Sequence, residues 1–188
     1  FRRTEVLRGV TFRVERGKTF AFLGRNAAGK TTTIRMLLGL LKRDDGSIRV
    51  LGLDPTKDPI ELRRRVGYLA EDQTMYGWMK VGEILRFIAP FYPTWDHDLA
   101  LRYVRDFELP IATKIKHLSK GQNVRLGLVL ALAHRPELVI LDDPALGLAL
   151  EHAVAVAELA ALGRQPVAST GLAVVDVHGR DEPADFDA

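Results

Sequence analysis

The chain has 188 residues, 47% of them hydrophobic, which suffices for one globular domain with a sizeable core. The absence of cysteine excludes disulfides, thiolate metal sites and a cysteine nucleophile, and fits a reducing compartment such as the cytoplasm. No apolar run approaches the roughly 20 residues that cross a bilayer, so no membrane span is predicted. Because the first residue is Phe1 and no signal peptide is visible, we expect a trimmed N-terminus.

Charge is distributed unevenly along the chain. Residues 1–150 have a balance of +8 and residues 151–188 a balance of −5, within a net charge of +3. Such asymmetry can indicate a nucleic-acid or anionic-membrane surface. The basic cluster at residues 61–65 is more simply a solvated helix face, and aromatic residues are not interleaved with basic ones as base stacking requires. No nucleic-acid partner is expected.

Short apolar segments alternate with longer helical ones in chain order. Helical spacing begins at TTTIRMLLGLL (31–41), helices dominate from about residue 72 to His117, and the β pattern is absent there. This alternation predicts an α/β fold with a parallel sheet and an inserted helical subdomain. The predicted strands are VTFRVERG (10–17), TFAFLG (19–24), GSIRVLG (46–52), RRVGYLA (64–70) and LVILDD (138–143).

The segment GRNAAGKTT fits the phosphate-loop pattern G-x-x-x-x-G-K-[ST], with a predicted strand before it and a helix after it. In such a loop, backbone N–H groups and the helix N-terminus surround a phosphate. Lys30 would reach the terminal phosphates and Thr31 would hold Mg²⁺. The competing interpretation is a glycine-rich turn without a ligand. The predicted nucleotide-binding residues are Gly24, Arg25, Asn26, Ala27, Ala28, Gly29, Lys30, Thr31 and Thr32.

Two adjacent carboxylates end the strand LVILDD. In a phosphate-loop protein, the acid at the end of a second strand lies near the Mg²⁺ shell, a role that falls to Asp142. Asp143 would then face the water that attacks the γ-phosphate. Alternatively, the two aspartates only end the strand and cap the following turn.

A second motif lies at LSKGQNVRLGLVLALAHRPELVILDDP (Leu118–Pro144). It resembles the signature helix and Walker B strand of the ATP-binding cassette (ABC) family, and LSKGQ matches that family's LSGGQ at four of five positions. Ser119, Gly121 and a helix starting at about Gln122 would form a second N-terminal anion site. In the family this site faces the γ-phosphate held by a partner subunit.

The resemblance covers residues 1–150 and implies a single ABC nucleotide-binding domain over 1–188. Its expected fold is a P-loop NTPase core with a mostly parallel sheet, an N-terminal antiparallel β portion and a helical subdomain at about 72–117. The tail, 151–188, is atypical and open to truncation or degradation. In it we expect a helix after about Glu151, a poorly matched strand within PVASTGLAVVDV (166–177) and a mobile end from about Gly179. The resemblance further implies ATP and Mg²⁺ as cofactors, a second nucleotide-binding domain and transmembrane permease subunits as partners, and a peripheral location on the cytoplasmic face of the membrane. Phe1 stands where the family stacks an aromatic ring on adenine.

The segment VGYLAEDQTMYGWMKVGEIL (Val66–Leu85) resembles the family's glutamine loop, and with FIAPFYPTWD after it resembles the ABC-2 type export branch. Glu71 occupies the usual glutamine position and Gln73 lies two residues on, so either could sense Mg²⁺ and water. The group Tyr76, Trp78 and Met79 would either contact the membrane subunit or lie in the subdomain core. The residues WDHD (95–98) could form a metal site, but they are more simply interpreted as the polar start of a helix.

Several positions depart from the family pattern. Asp143 replaces the usual glutamate, so its carboxylate is drawn back by roughly 1.5 Å, and displacements of about 1 Å can cost about 100-fold in rate. Ala149 stands where the family has an aspartate. His178 lies where the family has a histidine that senses the γ-phosphate, but the residues around it do not match the family. The alternative is a histidine with no role at the nucleotide site. His117 and His134 are expected at the surface.

Two functions are compatible with these features. The first is the ATP-hydrolysing subunit of a membrane exporter, driven by ATP-dependent dimer closure. The second is an ABC-type nucleotide-binding protein whose hydrolysis is impaired by Asp143, Ala149 and the atypical tail.

Overall fold

A four-stranded parallel sheet forms the centre of the protein. The computed structural model describes residues 6–7, 9–16, 19–22, 28–71, 73–142 and 171–175, with only the backbone described at 19, 21 and 171–175. The strands run in the spatial order β1-β4-β3-β2, and every neighbouring pair is parallel. The sheet confirms the predicted strands around residues 19–24, 64–70 and 138–143 and a strand in the tail. They are β1 (Thr19–Ala21), β2 (Val66–Leu69), β3 (Leu138–Asp142) and β4 (Gly171–Val175).

Between β2 and the last helix, every regular element of the described residues is helical, as predicted. The domain limits at 72–117 remain a prediction. The helices are α1 (Lys30–Leu37), α2 (Pro59–Arg65), α3 (Val81–Ile88), α4 (His97–Asp106) and α5 (Lys120–Leu132), with 3-10 turns at Ala89–Phe91 and Ile115–His117.

The segment WDHD is the start of a helix, as predicted. The Asp96 carboxylate caps α4 by accepting the backbone N–H of Leu99 at 2.8 Å. It also accepts the Arg135 guanidinium at 2.6 Å, which joins α4 to the end of α5. No cluster of three or more metal-ligating side chains occurs in the described part of the chain, so the metal-site alternative finds no support there.

The strand predictions for 10–17 and 46–52 are wrong over the described residues. No ladder forms over 10–16, and Val50 makes only an isolated antiparallel bridge to Leu53. The expected N-terminal antiparallel β portion is therefore not seen over these segments. Period-two alternation indicates one buried face, but a strand also needs a partner edge. Phe12 remains 39% exposed, and its ring stacks on that of Phe20 with the centroids 5.3 Å apart.

Two hydrophobic clusters cover opposite faces of β3. Val139 and Leu141 belong to the cluster formed with α3, α4 and α5, whereas Ile140 packs with Ile34 of α1 and Leu62 of α2. Since side chains alternate along a strand, Asp142 shares the face of Ile140. The alternation therefore places the carboxylate of Asp142 on the α1 side of the sheet.

His134 is buried, contrary to the prediction that it lies at the surface. Only 1% of it is exposed, and its ring stacks on Tyr92 with centroids 4.1 Å apart. A helix boundary indicates exposure only where nothing packs over it, and here the segment after α3 does. Burial lowers the pKa of His134 to about 4, and the nearby backbone of Val66 and Leu130 opposes the shift only in part.

We expect the folded state to lose stability in acid through His134. Its pKa falls from 6.5 unfolded to about 4 folded, so the unfolded chain binds more protons between these values. Stability contributed by the neutral ring is complete above about pH 6.5 and is lost as the pH falls toward 4, by about 3 kcal/mol. Urea denaturation of the parent and of His134→Phe, which keeps a stacked ring without a titrating group, measures this difference. Parallel pH profiles for the two proteins would contradict the prediction.

Candidate functional site

The N-terminus of α1 forms the centre of the candidate site. Gly29 precedes it in the left-handed conformation (φ 88°), which favours glycine, and the Leu7 side chain packs close to it. Thr33 stabilises the first turn by donating its hydroxyl to the Gly29 carbonyl at 3.0 Å. Lys30, the first helical residue, is only 6% exposed. The backbone N–H groups at the start of a helix, together with a nearby lysine, favour the binding of an anion.

The carboxylate of Asp142 lies directly beside this helix start. The Thr31 hydroxyl donates to Oδ1 of Asp142 at 3.4 Å, although the two residues are 111 positions apart in the chain. Asp142 is 2% exposed. A hydroxyl and a carboxylate are hard oxygen donors, and Mg²⁺ in nucleotide sites uses few protein ligands besides phosphate and water. The residues present therefore fit Mg²⁺ chemically.

Tyr68 of β2 is a member of this site that sequence reasoning missed. Its hydroxyl donates to Oδ2 of Asp142 at 3.5 Å. Burial, and then the charge of Asp142, raises the pKa of Tyr68 to about 12, while Arg35 opposes the shift. The available sequence signal was its place on the strand that precedes the glutamine-loop segment, but strand order alone does not reveal which residue of the strand reaches the carboxylate.

Glu71 and Gln73 have different surroundings. Glu71 is exposed, and its charge is the smallest of the causes that raise the pKa of Tyr68. Gln73 instead packs on α5, where a Cβ at Gly127 would overlap its amide group. Its Nε2 is buried and has no hydrogen-bond partner within the described part of the chain. Which of the two residues would sense Mg²⁺ and water stays a prediction.

The segment LSKGQ forms the first turn of α5. The helix begins at Lys120, two residues before the predicted start at about Gln122, because Ser119 caps it. The Ser119 hydroxyl accepts the Gln122 N–H at 3.2 Å, and the Gln122 side chain accepts the Ser119 N–H at 2.9 Å. Gly121 lies in the same turn.

The core alternative holds for Met79, whereas Tyr76 and Trp78 lie at the surface. Met79 is 8% exposed and belongs to the core, whereas Trp78 is 66% exposed and Tyr76 51%. Tyr76 contacts the rings of Trp78 and Phe87, and Phe87 contacts Phe91. We call these four residues, Tyr76, Trp78, Phe87 and Phe91, the aromatic patch.

The remaining predicted site residues lie outside the described residues. They are Phe1, Gly24, Arg25, Asn26, Ala27, Asp143, Ala149 and His178, together with the helix expected after Glu151 and the end from Gly179. Their roles stay predictions. Ala28 and Thr32 are described and flank Gly29 to Thr31 at the start of α1.

Comparison with known proteins identifies the family. The family model described as "ABC transporter" matches residues 7–146. The chain belongs to the ABC transporter family. The bacitracin transport ATP-binding protein BcrA of Bacillus licheniformis is 39% identical over 137 residues, which are 72% of this chain and 45% of BcrA. The chain spans about half the length of the curated relatives it matches.

Solved structures of ABC proteins have the same fold. The "Structure of ATP binding subunit of ABC transporter" is 29% identical, has a TM-score of 0.77, and aligns over 94% of this chain and 75% of its own. The ATP-binding cassette MJ0796, solved as a dimer bound to ADP and Pi, is 20% identical with a TM-score of 0.75, aligns over 91% of this chain and 79% of its own, and shows the fold alone. These findings confirm the resemblance to the ABC family and the α/β P-loop fold. Among the described residues, no helix is long and apolar enough to span a bilayer.

Proposed function

We propose that this ABC family chain is the ATP-binding and ATP-hydrolysing subunit of a membrane exporter. The observation that carries the proposal is the meeting of Thr31 and Asp142 at the N-terminus of α1, beside the buried Lys30. A helix start, a lysine and a hydroxyl–carboxylate pair together are suited to a nucleotide triphosphate with its metal. A glycine-rich turn without a ligand would not need a buried lysine and a buried aspartate at its end.

Each residue has a chemical task in this proposal. The α1 N-terminus and Lys30 bind the phosphates, and Thr31 and Asp142 would hold Mg²⁺. When bound, Mg²⁺ neutralises charge that develops on the phosphates. Asp143 accepts a proton from the water whose oxygen attacks the γ-phosphorus, and the bond to ADP breaks. Glu71 takes the place of the loop glutamine in preference to Gln73, whose amide group packs against Gly127 of α5.

We further propose that two copies, or this chain and a related one, close on ATP. Ser119, Gly121 and Gln122 would present the capped start of α5 to the γ-phosphate held by the partner. The capping geometry of α5 supports this role, because the Ser119 hydroxyl hydrogen is not used in the capping box and can be donated. The dimer solved for MJ0796 is a precedent in a protein of the same fold. His178 would sense the γ-phosphate.

A hydrolysis-impaired nucleotide-binding protein is the second candidate. Its support is the aspartate at position 143 and the alanine at position 149, which remove a methylene and a carboxylate that the family normally has. Steady-state ATP hydrolysis by the purified protein separates the two. Turnover that exceeds that of Lys30→Ala supports the exporter ATPase. Tight ATP binding with no turnover above that variant supports the impaired protein.

The aromatic patch would contact a transmembrane permease subunit at the cytoplasmic face of the membrane. Large apolar side chains exposed together mark interaction sites. We expect Tyr76→Ser with Trp78→Ser to release the protein from membranes of cells that co-express its permease, by at least about tenfold, because two aromatic anchors are lost. The measurement is the membrane-bound fraction after sedimentation.

The matched control is Leu101→Ser on α4, which changes an apolar residue of 41% exposure outside the patch. It should sediment with the membrane as the parent does. ATP binding should be unchanged in both variants. Equal release by the control variant, or retention of the patch variant on the membrane, would contradict this assignment.

A further inference from the structure

Tyr68 and Asp142 lie on neighbouring strands and on the same face of the sheet. Tyr68 is paired with Ile140, and Asp142 is two residues further along β3. Because side chains two residues apart share a face, the long side chain of Tyr68 can cross diagonally to the carboxylate. The hydroxyl–carboxylate contact of 3.5 Å follows from this register. A shorter polar side chain at this position would not reach it.

The two oxygens of Asp142 have different donors. Oδ1 accepts the Thr31 hydroxyl at 3.4 Å, and Oδ2 accepts the Tyr68 hydroxyl. Thr31 is itself a proposed Mg²⁺ ligand, so its hydroxyl oxygen would turn to the metal. The Tyr68 hydroxyl can remain on Oδ2 throughout, because it has no other assigned task. It is thus a donor that can hold the carboxylate plane while Oδ1 faces the metal.

We propose that Tyr68 is a positioning residue that orients Asp142 for Mg²⁺ through the phenol hydrogen bond to Oδ2. The inference rests on the proposed function, since it assigns a role at the same nucleotide site. The aromatic ring of Tyr68 is half-buried against the α1 side of the sheet. A phenylalanine would pack in the same way as the Tyr68 ring. Packing therefore does not explain why this residue carries a hydroxyl. Hydrogen-bond partners of metal ligands fix ligand orientation, and their loss typically weakens metal affinity 10–100-fold.

The test is Tyr68→Phe, which removes one hydroxyl and leaves the ring. Binding of a fluorescent ATP analogue is titrated with Mg²⁺ and repeated in excess EDTA. We expect the Mg²⁺ concentration for half-maximal binding to rise about tenfold, with unchanged affinity in EDTA. Tyr92→Phe, which removes the phenol hydroxyl of the ring that stacks on His134, should leave both values unchanged. A purely structural role would weaken binding equally with and without the metal, which would overturn the inference.

A double variant tests whether the phenol acts through Asp142. When Asp142→Asn has already altered the carboxylate, Tyr68→Phe should not weaken analogue binding further at high Mg²⁺. Independent, additive losses would overturn the inference. Failure of the parent to bind the analogue would overturn the proposed function and this inference with it. Parental binding with an unchanged Mg²⁺ requirement in Tyr68→Phe would overturn the inference alone.

Discussion

Lys30→Ala should weaken ATP binding about 100-fold. Lys30 is the first residue of α1 and is 6% exposed, so any phosphate charge that it faces lies in a site with little water. Removing one partner of a desolvated charge pair costs about 3 kcal/mol, and each 1.4 kcal/mol corresponds to tenfold in affinity. Titration with a fluorescent ATP analogue measures the change directly.

A matched lysine variant distinguishes this effect from a general change in charge. Lys57→Ala removes an exposed lysine near α2 and should bind the analogue as the parent does. A thermal melt of Lys30→Ala checks that the fold is kept. Parental affinity in Lys30→Ala would overturn the phosphate-loop interpretation, because that interpretation assigns the terminal phosphates to Lys30.

Asp143→Asn should retain ATP binding and slow hydrolysis by about 100-fold or more. Asparagine keeps the shape of the side chain but cannot accept a proton, and a general base contributes typically 10²–10⁴-fold. The prediction rests on the position of Asp143 immediately after Asp142, where β3 ends beside the α1 N-terminus. Steady-state turnover and analogue affinity are measured on the same preparation.

The same variant should also accumulate an ATP-bound dimer, since closure would no longer be followed by hydrolysis. Size-exclusion chromatography in ATP and Mg²⁺ detects this dimer. Asp106→Asn, at the exposed end of α4, serves as the matched aspartate control and should turn over ATP like the parent. Parental turnover in Asp143→Asn would show that this carboxylate is not the base.

Sequence patterns predicted the parts of the fold whose signals are local. Continuous apolar runs identified β1, β2 and β3, and the apolar run in the tail identified β4, although a helix lies between most of these strands in the chain. The polar start of α4 was predicted because Asp96 offers a capping carboxylate one residue before the helix. The segments 10–17 and 46–52 were mispredicted, because alternation does not specify a pairing partner.

The candidate site was predicted in composition but not in arrangement. The phosphate-loop pattern identified Gly29, Lys30 and Thr31, and the strand-ending acids identified Asp142, because each motif is contiguous in sequence. Tyr68 was missed because it reaches Asp142 across a register that only pairing of β2 with β3 creates. His134 was misplaced because its burial depends on Tyr92, 42 positions earlier in the chain.

The sequence by itself determined the family, the phosphate loop, the acid that ends β3 and most of the strands and helices, because these depend on contiguous residues and their spacing. Only the tertiary structure decided which residues meet: Thr31 with Asp142, Tyr68 with the other oxygen of that carboxylate, and Gln73 with Gly127 of α5. It also divided the aromatic residues after β2 into core and surface. The physical reason is that strand register and helix packing bring together side chains separated by tens of residues, and neither is encoded in any single segment.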